Sequence, residues 1–98
     1  MSKSVATVTP EDFEPLNGAT FSLATASGTL ALELKDVRRL GNALREGGAF
    51  SLLYVSAPGP IVPQAIYPMT HPALGTLELF IVPLGPKDGG NRYEVIFT

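Results

Sequence analysis

Between Gly47 and Leu77 the chain runs for 31 residues without a formal charge, yet it carries Pro58, Pro60, Pro63, Pro68 and Pro72 along the way. A membrane-spanning helix needs about 20 consecutive apolar residues with few breakers. An interior proline removes a helical hydrogen bond and clashes with the preceding turn. The stretch therefore reads as buried core together with exposed apolar surface, not as a membrane span. Short strands joined by rigid turns are what such a composition can build.

The rest of the chain agrees. With 98 residues it has the length of one domain. Charged residues make up 16%, against about 25% in an average soluble protein, and the net charge is −2. This balance excludes a disordered chain and a nucleic-acid binder that works by charge alone. Zero cysteines exclude a disulfide scaffold, a thiolate nucleophile and any Cys-ligated metal. Residues 1–8 read as a flexible polar lead without the apolar core of an export signal. The expected location is the cytoplasm, with assembly into an extracellular tail-like structure left open. Residues 9–98 read as a single β domain.

Thr9-Pro10-Glu11-Asp12 has the form of a helix start, with Thr as N-cap, Pro in the first helical position and acids in the first turn. Pro15 limits this helix to about one turn, and Phe13 and Leu16 are its expected anchors. Two alternating segments follow, 20–24 and 29–35, which predict a hairpin turning at Ser27-Gly28. Within 36–46, Val37, Leu40 and Leu44 lie at helical spacing, so a short helix or an ordered loop is expected there. Residues 50–55 read as a central strand, 64–67 as a short strand whose flanking Pro63 and Pro68 suit an edge or a bulge, 71–75 as a turn, and 76–84 and 92–98 as a closing hairpin. Six strands with short connections predict an all-β fold, a small antiparallel barrel or sandwich.

Reactive groups do not converge in the sequence. His71 is the only histidine. Without a second ligand at metal-binding spacing it implies no metal site, and its plainer role is to shape the turn with Pro72. No serine lies in a Gly-x-Ser-x-Gly elbow. Glu78 and Glu94 could approach across the last hairpin, where a cross-strand ion pair with Arg92 is the plainer reading. Arg38, Arg39 and Arg45 form a small basic cluster flanked by Asp36 and Glu46, which suits a solvated face. No glycine pair precedes a helix as a phosphate cradle would require, and no cofactor is expected.

What remains is the apolar loop of Pro58, Pro60, Ile61, Val62 and Pro63. Exposed apolar groups on a stiff loop lose little entropy on docking. The leading expectation is a non-enzymatic module that binds another protein, or a second copy of itself, through this loop or through a free edge of the terminal strand. The alternative is a small-ligand or carbohydrate site using Tyr54, Tyr67, His71 and Tyr93 in a shallow cleft. A hydrolase with His71 as base comes third. Neither a nucleic-acid partner nor membrane insertion is expected.

The last third carries a resemblance. His71-Pro72-Ala73-Leu74-Gly75, then Leu79-Phe80-Ile81-Val82-Pro83, then Tyr93-Glu94-Val95-Ile96-Phe97-Thr98 is similar to a family of small bacterial domains of unknown function. Its members show a His-Pro-x-Leu-Gly turn, a Leu-Phe-x-Val-Pro strand and a closing Tyr-Glu-Ala-x-Phe-Asn strand. Val95 and Thr98 depart from that pattern, conservatively. The resemblance implies no catalytic residue. It implies an accessory or assembly role beside phage-tail-collar-like fibre proteins.

Overall fold

The computed structural model describes residues 8–26, 28–41, 48–59, 61–87 and 89–97. Residues 1–7 of the expected lead lie outside the described residues, as do Pro60 and Arg45. Val8, the last residue of that lead, is fully buried and belongs to the core.

A single helical turn, α1 (Pro10–Phe13), runs into a 3-10 turn at Glu14–Leu16. The start is built as its residues predict: the Thr9 N–H donates to Asp12 Oδ2 at 2.8 Å and the Asp12 N–H donates to the Thr9 carbonyl at 3.0 Å. Six strands follow: β1 (Thr20–Thr25), β2 (Gly28–Arg39), β3 (Phe50–Ser56), β4 (Ala65–His71), β5 (Gly75–Lys87) and β6 (Gly90–Phe97). All pairings are antiparallel, and the strands close into a barrel in the order β1-β2-β3-β6-β5-β4. No helix among the described residues is long and apolar enough to cross a membrane.

Closure depends on two long strands, each shared between two partners. β2 pairs with β1 over Gly28–Glu33 and with β3 over Glu33–Arg39. β5 pairs with β4 over Gly75–Ile81 and with β6 from Val82 onward. Just past each changeover the register slips, between Leu34 and Asp36 in β2 and between Pro83 and Gly85 in β5. A bulge bends its strand and raises the local twist, which lets one strand leave one neighbour and join the next. The thinnest seam is β1 with β4, two residue pairs at Ser22–Thr70 and Leu23–Met69.

Alternation fills the interior. Phe21, Leu23, Leu32, Leu34, Leu52, Tyr54, Met69, Leu77, Leu79, Ile81, Tyr93 and Val95 form one buried cluster with Phe13. Gly90 is needed for close approach, because a Cβ there would overlap the Ser56 carbonyl oxygen.

Three expectations need correction. Residues 36–39 are strand, not helix or loop. The bulge at Lys35 turns both Lys35 and Asp36 outward and hands the inward position to Val37, so the apparent helical spacing is an alternation reset by one extra residue. Residues 42–46 lie outside the described residues. The fourth strand is not a short edge ending at Tyr67; it continues through Pro68 to His71 and pairs on both sides. Proline cannot donate to a ladder, and Pro68 lies just before the short stretch joined to β1. Finally, the terminal strand is not a sheet edge: β6 bonds to β3 over Asn91–Phe97 and to β5 over Gly90–Glu94, so only Val95–Phe97 lack a β5 partner.

Candidate functional site

The proline-rich loop leaves β3 at Ser56 and enters β4 at Ala65. Its prolines lack N–H groups and hold φ near −65°, so it cannot join a ladder and is fastened by side chains instead. Asn91 Nδ2 donates to the Gly59 carbonyl at 2.9 Å. The Val62 N–H donates to Tyr93 Oη at 3.2 Å. The Tyr67 hydroxyl donates to the Pro63 carbonyl at 2.5 Å. Three points of a short segment are thereby tied to β4 and β6.

These ties divide the apolar pair that the sequence singles out. Val62 turns inward against the core, while Ile61 stays 43% exposed. Pro58 and Pro63 are exposed. Opposite them stands the tip of the β1–β2 hairpin, held by the Thr25 hydroxyl donating to the Gly28 carbonyl at 2.7 Å. Between loop and hairpin lies a groove of about 410 Å³, walled by Thr25, Ala26, Thr29 and Leu30 on one side and by Ile61, Val62, Pro63 and Tyr67 on the other. No lining residue carries a charge. The hairpin wall had no signal in the sequence, because nothing local ties residues 25–30 to residues 61–67.

The four residues of the ligand-cleft reading are not gathered into one site. Tyr54 and Tyr93 are cross-strand partners, both fully buried in the barrel. The Tyr54 hydroxyl has no hydrogen-bond partner among the described residues, and burial pushes its pKa far above the usual phenol range. The Tyr93 hydroxyl is taken by the loop. Of the four, Tyr67 alone lines the groove. His71 packs its ring on Phe21 at 4.8 Å, and its Nδ1 accepts the Ala73 N–H at 3.0 Å. The Leu74 N–H donates to the His71 carbonyl at 3.0 Å, and Gly75 takes φ +74°. The His-Pro-Ala-Leu-Gly segment is thus a turn whose conformation the histidine and the glycine set together.

The acidic and basic candidates also separate. Glu78 lies opposite Pro68, whereas Glu94 lies opposite Val82 and Leu53. Glu78 is on the half of β5 that pairs with β4, and Glu94 is on β6 opposite the other half, so the possible approach across the last hairpin does not occur. Arg38 pairs with Asp36 at 3.6 Å. Arg39 reaches α1 and the turn after it, binding Glu11 at 2.9 Å and Glu14 at 3.1 Å. Among the described residues no group of three or more His, Asp or Glu is placed to hold a metal ion.

Searches of curated proteins and of solved structures each return no match to this chain. A family model matches residues 8–97, beginning at the buried Val8, the first described residue, and ending on the last residue of β6. The chain therefore belongs to the family described as a domain of unknown function, DUF6916.

Proposed function

We propose that this domain is a non-enzymatic interaction or assembly module that receives an uncharged apolar segment of a partner protein in the groove between the proline-rich loop and the β1–β2 hairpin. One observation carries the reading: the groove is apolar and free of charge, and its loop wall is held in place by the hydroxyls of Tyr67 and Tyr93 and the amide of Asn91. A wall that is already ordered spares the entropy otherwise lost on binding. A groove without charge favours a partner that brings none, since a desolvated charge would find no counterpart. The proposal includes the setting that the resemblance implies, an accessory part beside phage-tail-collar-like fibre proteins.

The test is a random-peptide display selection on the wild-type domain and on Ile61→Asp. Val62 is left intact because it packs on the core. Ile61 is exposed enough that the change should move stability by only about 0.5 kcal/mol. Wild type should enrich uncharged apolar peptides that the variant fails to retain. Equal retention by both, or enrichment of charged peptides, refutes the reading.

A further inference from the structure

Five Lys and Arg residues are described, and three of them have carboxylate partners: Lys35 with Glu33 at 3.2 Å, Arg38 with Asp36, and Arg39 with Glu11 and Glu14. The remaining two among the described residues, Lys87 on β5 and Arg92 on β6, line one depression on the outer wall of the barrel. Lys35 lines it as well. The depression measures about 430 Å³, also takes in Leu53, Val55, Ser56 and Gly90, and has no acid among its described lining residues. In a chain of net charge −2, three cations from three strands meet where no described carboxylate pairs with two of them.

Both bulges contribute. Lys35 is the extra residue of the β2 bulge: it faces outward by alternation after the buried Leu34, and the bulge sets Asp36 outward beside it. Leu84 is the extra residue of the β5 bulge, and its carbonyl is the one acceptor for Arg92, at a long 3.5 Å from Nη2. Arg92 Nε is buried and has no acceptor among the described residues. A buried donor without an acceptor is costly, and a guanidinium held by one weak bond retains donors for a planar oxyanion. Glu94, two residues along the same face, makes no ion pair with it; Arg92 also borders an adjoining depression that it shares with Glu94, Asp36 and Arg38.

We infer that this depression binds the oxyanion group of a small molecule, a phosphate or a carboxylate, with Arg92 as the directional donor and Lys87 and Lys35 as flanking charges. Its volume suits one such group with a modest attachment. The inference is independent of the apolar groove.

The experiment is an NMR titration of the uniformly ¹⁵N-labelled full chain with sodium phosphate and, separately, with sodium acetate, each against sodium chloride at matched ionic strength. Saturable shifts beyond those of chloride at Lys35, Val55, Lys87 and Arg92 are expected, and the anion that produces them identifies the group. Lys87→Gln should weaken binding about threefold, as for an exposed charge. Arg92→Gln should weaken it about tenfold or more. Arg38→Gln, on the neighbouring depression, should leave it unchanged. If Arg92→Gln does not fold, the contrast between Lys87→Gln and Arg38→Gln decides. No saturable response to either anion, or a response that Lys87→Gln leaves intact, overturns the inference.

Discussion

The two ends of β3 are finished by different physics. At its start, Phe13 from α1 enters the barrel mouth and meets Phe50, Phe97 and Phe21 at ring-centroid distances of 5.8, 6.0 and 6.4 Å, while Phe50 and Phe97 stack at 4.5 Å. The charged contacts of Arg39 with Glu11 and Glu14 lie outside this plug, on exposed surface. At the other end, beyond Ser56, the proline-rich loop is held by directed hydrogen bonds to neutral groups. Hydrophobic burial is proportional to area and fills space. Hydrogen bonds fix positions without filling space. One end is consequently sealed, and the other keeps an open apolar groove.

The largest effect that tests this contrast is expected at the plug. Phe13→Ala should cost about 3–5 kcal/mol, measured by urea denaturation. A loss below about 1 kcal/mol would mean that α1 is an accessory, not a seal.

The next test uses two tyrosines that face each other across β3 and β6. Tyr93→Phe removes the acceptor of the Val62 N–H and should cost about 1 kcal/mol. Faster hydrogen exchange at Val62 should accompany it. Tyr54→Phe removes a buried hydroxyl without a partner and should stabilise by about 1 kcal/mol. The sign also carries a pH dependence. Burial raises the folded-state pKa of Tyr54, so the protonated form is bound more tightly when folded. Its contribution is intact below the unfolded value of about 10 and is lost as pH rises beyond it. Alkaline destabilisation should therefore be smaller in Tyr54→Phe than in wild type. Equal behaviour of the two phenylalanine variants would erase the distinction between a hydroxyl that holds the loop and one that merely fills space.

The smallest effect is expected from Arg39→Gln, because exposed ion pairs are weak and screened. Its shift of the unfolding midpoint should vanish at high salt. A backbone hydrogen bond, and after it Arg39, lowers the Glu11 carboxyl below its ordinary value of 4.5. Stability from that lowering is present above 4.5 and lost as pH falls through the folded value, so the penalty of Arg39→Gln should shrink in acid. A salt-insensitive loss comparable to that of Phe13→Ala would make the ionic contacts, not the phenyl rings, the seal.

Much of the fold is legible in residues that act on their neighbours. Thr9-Pro10-Glu11-Asp12 caps a helix because the cap bonds span three residues. Thr20–Thr25 and Gly28–Glu33 pair because their alternation and their turn are local. The turn around His71 is legible for the same reason. The stretch from Asp36 to Arg39 is not, because a bulge depends on the partner strand as much as on its own residues. Val37 then counts as helical by spacing and as strand by pairing. The candidate groove is half legible. Its loop stands out as proline-rich and uncharged, but Thr25, Thr29 and Leu30 become its other wall only when β2 and β3 pair. The oxyanion depression is not legible at all: Lys35, Lys87 and Arg92 are ordinary surface residues until three strands bring them together.

By itself, then, the sequence determined the strand-rich class, the turns, the helical start and the stiffness of the proline loop. Each of these follows from backbone restriction or from a period that repeats within a few residues. The tertiary structure decided that the sheet closes, which tyrosine hydroxyl finds a partner, and which cations are left without one. Those outcomes depend on register between residues about thirty or more positions apart, such as Val62 with Tyr93 and Asn91 with Gly59, and no local pattern encodes that register.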